Sequence, residues 1–436
     1  MNLTPAAVRQ DRTVDLPPKA RRSPAQQVYS GYPDAVTKEI SEMTSYDHLI
    51  IGGGQVADDA ARALREHGAT GSIGILSSDE DAPYTRPALT KKLWIDPEFG
   101  EDAVPLGTAE DTGAELRVRT VVTAIDREAK QVELEGGERI GYGTLLLGTG
   151  SEPRRLEGPE DERVIHFRSF ADYRTLRHLL TDGSRAVVVG GGYIGAEIAA
   201  SLSLNGAHVT LVFPDDVLGA SQFPPSLAQR YQKLFTDHGV ELLPGRRAEQ
   251  ITVQDDADVG VTLDDGTAVG GDIVVIGLGA EPRLDLARQA GLEVSEGVVV
   301  DEHLRTSDPA IWAAGDIIEY PDAILGRTRI EHVDHARESG AAAGRAMAGA
   351  EAPYDHTPYF YSMVYGVRWE AVGTLDPSLE MLEVHHDTQR SVVYYLDDQG
   401  RPVGVLMWQI DGARDAARTV IADRITDRDL LRGSIG

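Results

Sequence analysis

The chain contains no cysteine among its 436 residues. That absence excludes structural disulfides, thiolate metal centres, cysteine-held iron–sulfur clusters and any dithiol or sulfenate redox relay. Lysine is scarce as well: there are six, and arginine supplies the rest of the 42 basic residues. Against 70 acidic residues this leaves a formal net charge of −28. Nucleic acid is therefore not an expected partner, because a phosphate backbone needs a basic face. No run reaches the eighteen or so consecutive apolar residues that cross a bilayer, so no membrane span is expected. The N-terminus lacks the apolar segment of a secretory signal, which makes a cytoplasmic location the default expectation.

What the chain has instead is glycine in a patterned place. The stretch GGGYIGAEIAASLSLNG runs from Gly190 to Gly206, between the apolar runs Ala186–Val189 and Val209–Phe213. Strand, glycine turn, helix and strand in that order form the unit that grips a dinucleotide pyrophosphate. Gly190 permits the tight turn, Gly192 lets the backbone approach phosphate, and Gly195 lets the helix pack on its strand. The helix start then offers free N–H groups and a positive dipole end. A single such motif is weak evidence, but an earlier stretch, GGGQVADDAARALREHG from Gly52 to Gly68, repeats it between two further apolar runs. Gly52 and Gly54 hold the first two glycine places, and Ala57 stands where Gly195 stands, a permitted variant. Two such units in one chain point to two nucleotides bound near each other, with electron transfer between them.

The rest of the chain arranges itself around these units. Residues 1–45 mix Pro, Ser, Arg and Asp without periodicity and are expected to be a flexible tail. DAPYTRPALTKKLW, Asp81 to Trp94, reads as irregular. The apolar segment Tyr142–Leu147 runs into Gly148-Thr149-Gly150, and Asp272–Ile276 runs into Gly277-Leu278-Gly279. Ile311–Ala314 leads to Gly315-Asp316, where the acid either meets ligand hydroxyls or caps the next segment. After Pro353, strands are expected over Tyr359–Thr374, Met381–His386, Ser391–Leu396 and Val403–Ile410, then a helix over Ala413–Asp423. His332, His335 and His356 offer a possible zinc set, but no third ligand is supported by spacing and no metal is expected.

The succession GGGQVA, PYTRPALTKKLW, LLLGTGSEPR, GGGYIGAE, GLGAEP, AAGDIIEY and EHVDHA resembles the two-dinucleotide flavoprotein reductases. Within them it is most similar to apoptosis-inducing factor and the NADH–ferredoxin and NADH–rubredoxin reductases. The resemblance implies an α/β fold of two Rossmann-like domains and a small C-terminal α+β domain. It places an FAD-binding domain at 46–164 and 280–353, an NAD(H)-binding domain at 165–279, and an interface or lid domain at 354–436. It also implies FAD contacts for Gly52, Gly54, Ala57, Arg86, Lys91, Val122, Thr149, Gly150, Arg168, Asp316, His332 and Tyr361. The family's acid for the adenosine ribose falls on Ser78, so either Asp79, one step on, shifts in or a neutral hydroxyl holds the ribose.

For the nicotinamide cofactor the resemblance assigns Gly190, Gly192, Tyr193, Ile194, Gly195, Glu197, Asp215, Gly279, Glu331 and Glu370. A carboxylate at Asp215 accepts the ribose hydroxyls of NADH and repels the 2′-phosphate of NADPH, so NADH is the expected donor. Lys91 and Glu197 match a Lys–Glu pair beside the flavin, where an ammonium would stabilise reduced flavin, and Tyr193 matches a gating aromatic. The implied activity is hydride transfer from NADH to FAD, then electron delivery to a ferredoxin- or rubredoxin-type protein or a quinone. The alternative is a redox sensor, like apoptosis-inducing factor, that forms a long-lived NADH–flavin charge-transfer complex and changes its oligomeric state. A homodimer fits either reading.

Overall fold

The computed structural model describes residues 43–254 and 258–436. The expected tail lies outside the described residues except for its last three positions. β1 (Ser45–Ile51) passes through the Gly52 turn into α1 (Gln55–Glu66) and β2 (Ile73–Leu76). Val56, Ala57, Ala60, Ala61 and Leu64 fall on one side of α1 at helical spacing and are buried, which holds the helix on the sheet. The PYTRPALTKKLW segment is more regular than expected. It holds a 3-10 turn at Arg86–Thr90 and a one-turn helix, α2 (Lys92–Ile95), and α3 (Thr108–Thr112) follows. β3 (Glu115–Arg117), β4 (Val122–Asp126), β5 (Gln131–Leu134) and β6 (Arg139–Leu147) complete a sheet ordered β3-β2-β1-β6-β5-β4. β1 lies parallel to both β2 and β6, so the glycine turn emerges between three strand ends.

β7 (Ser151–Pro153) leads away to β8 (Val164–His166), α4 (Phe170–Leu179), β9 (Arg185–Val189), α5 (Tyr193–Leu204), β10 (His208–Val212), α6 (Pro225–Asp237) and β11 (Glu241–Leu243). An antiparallel trio follows, β12 (Ala248–Gln254), β13 (Asp258–Leu263) and β14 (Ala268–Gly271), before β15 (Ile273–Ile276) enters the second parallel sheet, ordered β11-β10-β9-β15-β8. β16 (Ala280–Pro282) then pairs antiparallel with β7. The strands that leave and re-enter the first unit thus run hydrogen-bonded side by side, and the second unit is an insertion into the first.

After α7 (Asp285–Gln289) and β17 (Val298–Val299), β18 (Ile311–Ala313) joins the first sheet beside β6. β19 (Ile318–Asp322) and β20 (Gly326–Thr328) form a small sheet with β17, and α8 (Val333–Met347) lies along α1. The two helices touch at glycine: a Cβ on Gly344 would fall 2.4 Å from the Ala60 carbonyl oxygen.

The C-terminal sheet contains β21 (Tyr359–Val364), β22 (Val367–Gly373), β23 (Glu380–His385), β24 (Ser391–Leu396) and β25 (Pro402–Trp408), ordered β21-β22-β25-β24-β23. The expected single strand over Tyr359–Thr374 is a hairpin. Tyr365 and Gly366 both take positive φ, 49° and 77°, the two-residue turn that matches strand twist. α9 (Arg414–Ala422) covers this sheet, followed by an unexpected helix, α10 (Arg428–Ser434). Trp369 and Trp408 from β22 and β25 meet Phe223 edge-on at 5.3 and 5.5 Å, so this domain shares a core with the inserted unit.

Candidate functional site

The two glycine turns are built against strand ends. A Cβ on Gly52 would lie 2.0 Å from the Gly148 carbonyl oxygen, and one on Gly190 would lie 2.3 Å from that of Gly277. Both take φ values, 119° and 112°, that favour glycine. Gly54 and Gly192, the helix caps, face open space, and neither α1 nor α5 has a side-chain cap. Free first-turn N–H groups beside an open glycine make an anion cradle, and each suits one pyrophosphate. Thr149 and Gly150 follow Gly148 at the first cradle, with Thr149 Oγ1 donating to the Arg283 carbonyl. Gly279 follows Gly277 at the second, in an open left-handed turn. Ile194 packs partly buried on the second core.

Below the first cradle Arg168 Nη2 donates to Asp316 Oδ2 at 3.1 Å, and Ser151 Oγ donates to the same oxygen at 3.2 Å. Burial, and then the nearby Arg86 guanidinium, lower the Arg168 pKa. Arg168 Nε is buried without a protein partner. Two arginines crowded together, one with an unsatisfied donor, want an anion between them. The residues here fit FAD phosphates on that ground. Val122 opens β4, buried, where a bulge shifts the ladder between Val122 and Ala124.

The acids after the second strands behave differently. Asp79 Oδ2 accepts from the Tyr84 hydroxyl at 3.1 Å and Oδ1 from the Asp81 N–H at 3.2 Å, and Ser78 is exposed. Asp215 is half-buried, with no hydrogen bond to its carboxylate among the described residues.

Where the three chain regions meet, a single carboxylate is surrounded by donors. Glu197 is 3% exposed. Its Oε2 accepts from Lys91 Nζ at 2.6 Å and from Thr90 Oγ1 at 2.5 Å, and its Oε1 accepts from Ser362 Oγ at 2.7 Å. Thr90 and Lys91 come from the first unit, Glu197 from α5, and Ser362 from β21. The Lys91 ammonium stands 5.4 Å from the Tyr361 ring centroid. His332 is the N-cap of α8, its Nδ1 accepting from the Asp334 N–H at 3.2 Å. Its ring meets Tyr359 and Tyr361 edge-on. Burial pushes the His332 pKa down to about 4, so this imidazole is neutral at neutral pH.

Other assigned residues are placed around this centre. Tyr193 is 38% exposed and packs on Trp369 with ring centroids 5.3 Å apart. Glu370 is 1% exposed and spends its oxygens on Arg368, at 2.5 Å, and on Arg414, at 2.5 and 2.8 Å. Arg414 in turn lies 3.5 Å over the Tyr359 ring. Glu331 accepts from Arg329 at 2.5 Å. His335 bonds the Tyr354 hydroxyl, and His356 bonds the carboxylate of Asp334, whose N–H His332 accepts. Among the described residues no three potential ligands gather as a metal site.

Thr90, Ser151, Ser362, Arg368 and Arg414 are missing from the sequence-derived set. Thr90, Ser151 and Arg368 stand within two residues of Lys91, Gly150 and Glu370 in the chain; Ser362 and Arg414 reach their partners across 165 and 44 residues.

A family profile described as pyridine nucleotide-disulphide oxidoreductase matches residues 46–340. Monodehydroascorbate reductase 5 of Oryza sativa subsp. japonica is 34% identical over 390 residues, covering 83% of this chain and 79% of that protein. The ferredoxin–NAD(+) reductase component of the anthranilate 1,2-dioxygenase system of Burkholderia cepacia is 33% identical, covering 87% and 95%. Among solved structures, the putidaredoxin reductase–putidaredoxin complex aligns with a TM-score of 0.81 at 28% identity, covering 89% of this chain and 95% of that one. With two dinucleotide cradles and these likenesses, the chain belongs to the pyridine nucleotide-disulphide oxidoreductase family, as an FAD-dependent NADH oxidoreductase.

Proposed function

We propose that this protein takes hydride from NADH and delivers electrons from FAD directly to a ferredoxin-type protein. The observation that carries the reading is the absence of cysteine beside a Lys91–Glu197 ion pair at 2.6 Å. No thiol relay can take electrons onward, so they leave from the flavin itself. The reductase component from Burkholderia cepacia, matched over 95% of its length, supports a ferredoxin-type acceptor.

FAD, when bound, supplies the two-electron acceptor and one-electron donor chemistry. The chain's residues supply the rest. Gly52, Gly54, Ala57, Arg86 and Arg168 hold its phosphates, Asp316 its ribityl hydroxyls, and Thr149-Gly150, Val122, His332 and Tyr361 its rings and edges. Gly190, Gly192 and Gly195 hold the donor's pyrophosphate, Asp215 its ribose diol, and Tyr193 admits the nicotinamide. Lys91, fixed by Glu197, offers positive charge to the reduced ring. Glu370 acts through Arg368 and Arg414, keeping two guanidinium groups against Tyr361 and Tyr359. A small organic acceptor is the second reading, favoured by the rice relative; charge-transfer sensing is the third outcome.

The test is anaerobic titration with NADH, followed by ferredoxin, monodehydroascorbate or quinone. Rapid reoxidation by ferredoxin alone is expected. Preference for either small acceptor, or a long-wavelength band that persists in air, overturns the reading.

A further inference from the structure

A cavity of about 270 Å³ adjoins the Lys91–Glu197 pair. It leads away from the glycine turn. Its wall on α5 runs from Glu197 past Ser201 to Leu204, about 10 Å along the helix at 1.5 Å per residue. Its opposite wall is the tip of the β21–β22 hairpin, at Tyr365. At the outer end His238 stacks on Tyr365 with ring centroids 3.8 Å apart. His238 Nδ1 donates to the Leu234 carbonyl at 2.7 Å, which leaves Nε2 as a free acceptor. Both His238 and Leu204 are exposed. The cavity therefore joins a buried ion pair to solvent, with room for several waters and polar groups at each end.

We propose that this cavity is the proton exit of the enzyme. The inference rests on one-electron delivery from the flavin. NADH brings two electrons and one proton as hydride, and two one-electron acceptors remove the electrons only. The balance is NADH plus two oxidised acceptors giving NAD⁺, two reduced acceptors and one proton. The proton left at the flavin has to leave once per turnover. In the exit, the Lys91 ammonium would pass a proton to Glu197 Oε2 while taking up the one left by the bound cofactor. The N–H bond that Lys91 gives up to Glu197 would be renewed by that incoming proton. Glu197 then releases its proton to water in the cavity, and Tyr365 and His238 stand at the mouth. Thr90 and Ser362 are positioning residues that keep the carboxylate in line.

The test blocks the cavity without touching the pair. Leu204→Trp closes the exposed mouth, and Ala200→Leu fills the middle. Each holoenzyme is reduced with NADH and reoxidised with ferricyanide in H₂O and D₂O, with a pH-indicator dye reporting proton release. Reduction by NADH should stay within about twofold of the parent. Reoxidation and proton release should slow about tenfold, and the solvent isotope effect should rise from near one to above about two. Parent-like reoxidation, or slowing without an isotope effect, overturns the proposal. Should Ala200→Leu not fold, the surface variant decides alone. Ferricyanide takes single electrons whatever the natural acceptor is. Failure to reduce ferredoxin in the same preparation would overturn the acceptor reading and leave the proton measurement standing.

Discussion

The Gly52 and Gly190 turns share one backbone device and serve it with different side chains. When Gly52 is laid on Gly190, Gln55 falls on Tyr193, Ala57 on Gly195 and Asp59 on Glu197. The approaches of the first glycine in each unit, 2.0 and 2.3 Å to a carbonyl oxygen, are the same contact made twice. Around them almost everything differs. α1 carries charged residues among its alanines and lies on α8, while α5 is buried from Gly195 to Leu202. Asp79 is turned inward onto Tyr84, while Asp215 is left to outside partners. The glycines encode a grip; the side chains beyond them decide what the grip is for.

The largest test of that division is the third glycine place. A Cβ on Gly195 would sit 1.9 Å from the Gly190 carbonyl oxygen, whereas Ala57 carries its methyl buried in the first unit. Gly195→Ala should cost more than about 3 kcal/mol and weaken NADH binding over about 100-fold, with FAD content retained. Ala57→Gly should cost only about 1 kcal/mol. Thermal melts and NADH titrations of both variants check this; equal costs would mean that the two turns are not distinguished here.

Next comes the acid that Lys91 answers. Lys91→Ala leaves Glu197 buried with hydroxyl donors alone. Flavin reduction by NADH should slow by about 10- to 100-fold and the flavin potential should fall, because a buried cation near developing negative charge is worth a few kcal/mol. Stopped-flow reduction and a redox titration read the two effects, and unchanged values remove the role. A smaller effect concerns the acid after β10. Asp215→Ser, which gives the second unit the residue type of Ser78, should raise the KM for NADH about tenfold, or about 1.4 kcal/mol, and narrow its advantage over NADPH. An unaltered ratio of the two nicotinamides would show that the carboxylate does not select.

The sequence showed what repeats locally and concealed what meets at a distance. Both glycine units, their strands and most of the C-terminal strands were legible, because glycine spacing and apolar runs are written within a few residues. The Tyr365-Gly366 turn was hidden, since tyrosine is an unusual residue to take positive φ. Glu197 could be singled out, but its donors could not all be. Thr90 and Ser362 lie 107 and 165 residues away in the chain, and no periodicity links them. Glu370, which the resemblance alone places near the nicotinamide, is met by a pair of arginines, one of them 44 residues further on.

The subtlest difference between the units is electrostatic. Asp59 occupies in α1 the place of Glu197 in α5, but has Gln55 Nε2 at 2.7 Å in place of an ammonium. Burial raises its pKa from 3.8 to about 6, with Gln55 opposing and Asp58 adding to the shift. A carboxyl whose folded pKa is raised holds its proton more tightly in the native state. Its contribution to stability is complete below about pH 4 and is lost as pH rises through 6. At neutral pH the native state therefore carries a charge that it would stabilise better as a neutral amide. Asp59→Asn should raise stability at pH 7 by about 1–2 kcal/mol, after allowance for partial solvent screening. It should change little at pH 4. Urea unfolding at the two pH values measures the difference. The isosteric Glu197→Gln should act in the opposite sense at pH 7, because there the amide leaves Lys91 without its counter-charge. If both substitutions stabilise, the cation beside Glu197 contributes nothing that its burial does not cancel.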